Sequence, residues 1–262
     1  MLSNGTVDPA ASGVPCDGHG GLAAGASSRL LIDYAPAVRD EILDYLYKPK
    51  FGASLHVCKV EIGGDTQSTD GTEASHMHAR GDLNCNRGYE GWLAREAKAR
   101  NPSIKVWSLS WGVPGWIGNV SGQPPTYYSD DEVDYQVAWL RCLRDAHGVE
   151  SDYLGLWNER PQGSVYYVKQ LRAALDTRGF GGVGITVEAT WQNLIDNVLT
   201  DPQFNASVAA ATKHYPCNET SEPALQAHKK FWAGEDTPTP CAQREPNPQS
   251  PDPARAQPWP GD

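Results

Sequence analysis

The sequence predicts an α/β protein of the TIM (β/α)8 barrel class, incomplete at its C-terminus and carrying about seven strands. Three observations lead there. Short apolar runs alternate with amphipathic segments, as βα units in a parallel sheet require. The 262 residues are close to what a single barrel needs. One apolar run, Ser151 to Arg160 (SDYLGLWNER), breaks off into Asn158-Glu159, and polar residues at the carboxyl end of a parallel strand stand where ligands bind.

Taken in order, a first strand is expected near Gly18 to Ala23, inside a Gly-rich opening. A helix follows from about Ala37 to Leu46, with Val38, Ile42, Leu43 and Leu46 on one face, and Leu55 to Ile62 reads as a strand. Gly63-Gly64 is too short for a phosphate loop and reads as the turn that ends this strand. Tyr89 to Ala99 forms a helix with Trp92 and Leu93 inward, closed by Asn101-Pro102, and Ile104 to Leu109 forms the next strand. Ser129 caps a helix that runs to Ala146, where Asp130, Asp131 and Glu132 meet the positive end of the helix dipole. After the strand that delivers Glu159 comes a helix from Val165 to Asp176, then a strand from Val183 to Val187. A helix from Leu194 to Leu199, a strand from Val208 to His214 and a short helix from Ala224 to Lys229 follow. Phe231 to Gly234 is the last strand and delivers Glu235-Asp236.

Residues 1–236 are therefore expected to form one barrel domain, and 237–262 a proline-rich tail without regular structure. Eight prolines fall in that tail, which holds too little apolar surface to offset the entropy of ordering it. With seven strands, the strand carrying Glu235 would lie beside a gap flanked by apolar edges, so the chain as it stands is expected to aggregate or to lack turnover.

Composition removes several classes of function. The 32 acidic and 22 basic residues give a formal charge of −10, which disfavours a nucleic-acid partner. No stretch approaches the roughly 18 apolar residues of a membrane helix, and Met1 to Ala10 holds no apolar core of a signal peptide. Four acceptor sequons, at Asn4, Asn119, Asn205 and Asn218, point weakly to a secretory glycoprotein. The six cysteines form no Cys-x-x-Cys pair, so a zinc site is not expected; some can form disulfides, while Cys58 in a strand and Cys142 on a helix read as small buried hydrophobes. His76 and His78, with His56 nearby, lack a third ligand at metalloprotease spacing. Nine Trp and eleven Tyr provide flat apolar faces of the kind that sugars contact.

The chemistry rests on two carboxylates at two strand ends. Glu159 and Glu235 are separated by about 76 residues, roughly three βα units, so both face the same mouth of a barrel. Such a pair across a sugar-binding cleft is the equipment of glycosidases, one carboxyl protonating the leaving oxygen and one attacking the anomeric carbon. Asn158 would hold the sugar 2-hydroxyl. The competing reading of Glu159 is a structural pair with Arg160.

The stretches KVEIGGDTQSTDGTEASHMH, RGYEGWLAREAKARNP, LSWGVPGWIG, YLGLWNER and KHYP resemble glycoside hydrolase family 59, the galactosylceramidase family, in order and with near-constant spacing from about Gly25 to Asp236. The resemblance implies a retaining glycosidase that cleaves the β-galactosyl bond of galactosyl lipids. It implies Glu159 as acid/base and Glu235 as nucleophile, with Thr69, Trp111 and Asn158 binding galactose. It implies neither metal nor cofactor, a lysosomal or secretory location, a role in sphingolipid breakdown, and a saposin-type protein to present the lipid. Family members continue through a last barrel strand, a β-sandwich and a lectin-like domain, and draw a substrate-binding arginine from that later chain.

Some residues keep a second reading. Thr69 could cap a turn, Trp111 could fill the core, and Tyr215, expected with His214 to position the nucleophile, could be a buried structural tyrosine. At the level of the whole chain, a retaining barrel glycosidase of other sugar specificity and a galactose-binding fragment without turnover stand beside the galactosylceramidase reading. For a retaining enzyme the two carboxyl groups should lie about 5 to 5.5 Å apart.

Overall fold

The computed structural model describes residues 16–68, 71–118, 126–160, 163–188, 195–216 and 222–236. Seven parallel strands form one sheet in sequential order: β1 (Gly20–Ala23), β2 (Val57–Ile62), β3 (Lys105–Ser110), β4 (Tyr153–Trp157), β5 (Gly184–Glu188), β6 (Val208–His214) and β7 (Lys230–Glu235). Among the described residues eight helices lie between them: α1 (Ser28–Asp33), α2 (Pro36–Tyr47), α3 (Glu90–Arg100), α4 (Asp130–His147), α5 (Val165–Thr177), α6 (Asn197–Thr200), α7 (Pro202–Ser207) and α8 (Glu222–Gln226). This is an incomplete TIM barrel. The tail of residues 237–262 lies outside the described residues.

Strand register explains how the sheet separates two chemistries. Val60, Ser108 and Leu154 are paired neighbours, as are Leu154 and Ile185, and the apolar members of this row pack into the main core under the helices. The alternate row, Lys59, Trp107 and Tyr153, faces the barrel interior. There Trp107 and Tyr153 meet Trp232 of β7 with ring centroids 5.8 and 4.8 Å away, and the Trp107 indole N–H donates to Thr186 Oγ1 at 3.1 Å. Contacts that reach from β3 and β4 to β7 require the sheet to curl on itself. At its lower rim Asp17, just before β1, accepts from Lys230 Nζ at 2.6 Å and from the Trp232 indole N–H at 2.8 Å, so the first and last strands are bridged by side chains.

The helices follow their sequence signals closely. Ser129 Oγ accepts from the Glu132 amide at the start of α4, and Gly148 closes that helix in the left-handed conformation at φ 66°. All three acids stand in the first turn at the positive end of the helix dipole, as expected, but their surroundings differ. Asp131 pairs with Arg80, whereas Glu132 is fully buried near Ser110 and Tyr127, and burial drives its carboxyl well above the usual range. In α2 the inward residues are Leu43 and Tyr47, an i, i+4 pair, and Val38 is exposed because the stripe they define passes it by. Helices α1 and α7 were not expected, although Asp201 capping the Phe204 amide ahead of Pro202 is an ordinary start signal.

Cys142 departs from the buried-hydrophobe reading, since it forms a disulfide with Cys85. That bond ties the loop between β2 and α3 to α4. The same loop is held by three buried carboxyls. Glu61 accepts from the Gly25 amide and Ser68 Oγ, Glu73 from the Tyr89 and Glu90 amides, and Glu90 from Ser28 Oγ. Burial raises all three, Glu73 to about 7. Gly63 and Gly64 do end β2 in a tight approach: a Cβ on Gly64 would stand 2.2 Å from the Gly112 carbonyl oxygen.

Candidate active site

The carboxyl ends of β2, β4, β5, β6 and β7 meet at one mouth, and local irregularities aim the side chains into it. On β7 the register shifts so that Lys213 pairs with Ala233 but His214 with Glu235. This bulge places one extra residue in β7 and turns Glu235 toward His214 where strict alternation would present Gly234. The extra position has to be glycine, because a Cβ there would lie 2.9 Å from Thr212 and 3.1 Å from Trp107. A second shift lies in the pairing of β3 with β4, just before Glu159. Glu159 itself sits at φ 50° and Tyr215 at φ 48°, left-handed conformations that non-glycine residues rarely adopt and that concentrate at functional sites.

A cleft of about 330 Å³ is lined by Gln67, Trp111, Asn158, Glu159, Arg160, Tyr215 and Glu235. His214, its side chain 4% exposed, lies against two of these lining residues, Glu159 and Glu235. Its Nδ1 is 2.9 Å from Glu159 Oε1 and 3.7 Å from Glu235 Oε2, and its Nε2 is 3.2 Å from Glu188 Oε1. Contact atoms of Glu159, His214 and Glu235 all lie within 4.8 Å of one another, which brings one oxygen of each carboxylate that close. Tyr215 donates its hydroxyl to Glu235 Oε1. Lys59, buried in β2, donates to the Gly234 carbonyl at 3.0 Å and approaches Glu235 Oε2 at 3.5 Å, with its ammonium over the rings of Trp107 and Trp111.

The electrostatics follow from this packing. The hydrogen bond from His214 holds the Glu159 carboxyl below the usual range, with help from the charges of His214, Lys59 and Arg160. Burial alone would lower the His214 imidazolium, but the carboxylates of Glu188 and Glu159 outweigh it and push it up to about 9. Burial lowers the Lys59 ammonium, and Glu235 and Glu188 counter part of that effect.

The site-lining residues expected from the sequence fall as follows. Glu159, Glu235, Asn158 and Trp111 converge on one cleft, and Thr69 lies outside the described residues. Asn158 is buried with its Oδ1 unpartnered. Trp111 is 9% exposed, lines the cleft, and receives the Trp157 indole N–H on its carbonyl at 3.1 Å. Arg160 does not pair with Glu159 by direct contact; its guanidinium lies over the Trp157 ring. His76 is in the core, stacked on Tyr135, and His78 pairs with Asp65. Lys59, Glu188 and Thr212 were not anticipated, though a lysine inside VCKVEI and a glutamate ending ITVE are charges in otherwise apolar strands, a legible sign of an inward polar site.

The model of glycosyl hydrolase family 59 matches residues 16–248. The chain belongs to that family. It is 46% identical over 222 residues to galactocerebrosidase from Danio rerio, across 84% of this chain and 33% of the relative. Against galactocerebrosidase from Homo sapiens the identity is 43% over 224 residues, across 84% of this chain and 32% of the relative. The chain thus spans about one third of the length of the curated relatives it matches. Among solved structures, an endo-β1,6-glucanase superposes with a TM-score of 0.66 at 20% identity, covering 86% of this chain and 58% of that one. SrfJ from Salmonella typhimurium gives 0.63 at 18% identity, covering 82% and 55%. At these identities the likeness concerns the barrel fold.

Proposed function

We propose that this family 59 chain carries the catalytic barrel of a retaining β-galactosidase acting on galactosylceramide and related galactosyl lipids. The observation that carries the reading is the Glu159–Glu235 pair, whose nearest oxygens fall within the 4.8 Å contact group at the barrel mouth. That separation suits a covalent mechanism, because an inverting enzyme must leave room for a water and separates its carboxyls by about 6.5 to 9.5 Å. Galactocerebrosidase is also the name of the relatives matched.

Glu235 acts as nucleophile. Tyr215 and Lys59 orient its two oxygens, one each. Glu159 is the acid/base. His214 keeps it ionised before substrate binds, so it acquires its proton as the sugar enters and displaces water from its surroundings. Attack by Glu235 on the anomeric carbon breaks the glycosidic bond while Glu159 gives its proton to the departing ceramide oxygen. Glu159 then takes a proton from the water that releases galactose. Trp111 offers its face to the C–H side of the ring, Asn158 has a free Oδ1 for the 2-hydroxyl, and Thr69 binds a further hydroxyl.

The Cys85–Cys142 disulfide supports an oxidising compartment, and a lysosomal or secretory route agrees with it. Asn205 is a poor glycan acceptor, since its Nδ2 donates to the Val198 carbonyl and Ser207 Oγ donates to the Gln203 carbonyl. Any glycan would sit on the other sequons. A saposin-type protein would present the lipid to the cleft.

Azide rescue with an aryl β-galactoside tests the assignment. Glu159→Gln should leave the activated substrate partly cleavable and yield the β-azide, and Glu235→Gly should yield the α-azide. Exchange of the two anomers would reverse the roles. Galactose binding without any turnover by the parent protein would favour a lectin-like fragment, and equal turnover of glucosides would favour another sugar.

A further inference from the structure

We propose that Glu188 is a positioning residue: through His214 it fixes the protonation state of the acid/base Glu159. The kinetic consequence rests on the glycosidase reading; the protonation of His214 does not.

The argument is one of donors and acceptors. An imidazole can satisfy an acceptor only with a nitrogen that bears a proton. His214 Nδ1 faces Glu159 Oε1 at 2.9 Å, and Nε2 faces Glu188 Oε1 at 3.2 Å. Both neighbours are carboxylate oxygens, so the form that satisfies both is the imidazolium. Glu188 is well placed to impose it. It lies at the end of β5 with its side chain 6% exposed, and Thr212 Oγ1 donates to the same Oε1 at 2.9 Å, which fixes the carboxylate against the ring.

The other charges facing the ring are Glu235 on β7, 3.7 Å from Nδ1, and Lys59 on β2, whose Nζ is 3.5 Å from Nε2. Tyr215, just after β6, meets the ring edge-on. Lys59 works against the imidazolium, and could donate to Nε2 if that nitrogen lost its proton. The balance between Glu188 and Lys59 therefore decides whether Nε2 donates or accepts. A glutamine at 188 can turn its amide N–H toward Nε2 and favour the neutral ring. The loss of that cation then reaches Glu159, whose carboxylate relies first on the hydrogen bond from His214.

The test follows the ¹⁵N resonances of the His214 ring across pH in the parent protein and in Glu188→Gln, with the signals assigned by their loss in His214→Asn. Glu188→Gln should lower the midpoint of His214 deprotonation at least tenfold in proton concentration. The pH at which kcat/KM declines on its alkaline side should rise, because Glu159 loses its cation. Glu188→Asp should recover part of both effects, which a general packing defect would not. Thr212→Val serves as a second variant if Glu188→Gln fails to fold; freeing the carboxylate should lower the same midpoint by a smaller amount. An unchanged His214 midpoint in the folded variants overturns the proposal whatever the activity. A shifted midpoint without hydrolysis by the parent protein upholds the His214 assignment and counts against the glycosidase reading instead.

Discussion

Glu73 offers a direct measure of how the loop between β2 and α3 is held. The residue is 2% exposed, its carboxyl accepts from the Tyr89 amide at 2.6 Å and the Glu90 amide at 3.3 Å, and the carboxylate of Glu61 is close enough to matter. Burial is the main cause that moves it from 4.5 to about 7 in the folded chain. A carboxyl raised on folding stabilises fully below its unfolded value and loses that contribution as pH climbs through its folded value. At about 1.4 kcal/mol per pH unit, the interval from 4.5 to about 7 corresponds to a loss of about 3 kcal/mol. Glu73→Gln keeps an oxygen for both amides and removes the ionisation. Urea unfolding of parent and variant at pH 4 and at pH 8 should show the parent losing stability between the two and the variant losing about 3 kcal/mol less. Aspartates held low by Arg80 and Lys169 act in the opposite direction, but at more acid pH. Equal losses in the two proteins would refute the assignment of Glu73 as a buried, protonated clamp.

Three more outcomes are expected. Trp111→Ala should lower kcat/KM about fivefold, from about 1 kcal/mol of stacking, while the melt stays cooperative; loss of the cooperative transition would make Trp111 a core residue. Replacing Cys85 and Cys142 together by alanine should destabilise by up to about 4 kcal/mol on the loop-entropy account, given the 57-residue separation, and unfolding that is unchanged would show that the bond does not constrain the chain. Because Glu159 is depressed in the free protein, kcat/KM should fall as pH rises through a value below 4.5, whereas kcat, set in the substrate complex, should fall at higher pH; coincident profiles would remove the proton uptake on binding.

Much of this was legible in the chain because the barrel repeats one local rule. Alternation of apolar runs with amphipathic helices located all seven strands to within a few residues, and the break from YLGLW into Asn158-Glu159 marked the strand end that lines the cleft. The remainder depended on distance in space. Nothing near Cys142 announces Cys85, which α3, β3 and the first part of α4 separate from it. Lys59 and Glu188 are 129 residues apart, and their opposed action on His214 emerges only once β2, β5 and β6 curl around the same interior. The bulge in β7 was hidden as well, since it is a property of pairing; the sequence carries only the glycine that permits it.

Several locally unfavourable features meet at one place, and that meeting is itself an argument about function. Two residues in left-handed conformation, two register shifts, a buried lysine and a carboxylate-flanked histidine all lie at the mouth formed by β2 and β4 to β7. Each is locally unfavourable: left-handed backbone at a non-glycine residue costs about 1 to 3 kcal/mol, and a buried charge needs a partner to be tolerated. A barrel selected for stability alone would fill this layer with branched aliphatic side chains. Here the layer instead holds His214 between Lys59 and Glu188; His214 contacts the carboxylates of Glu159 and Glu235, and Lys59 approaches that of Glu235. On the glycosidase reading, the stability forgone is concentrated where charge must develop and move, and a network that cations and carboxylates balance so closely responds to the loss or gain of a single proton. Sugar binding, by drying Glu159, is the event that would supply one.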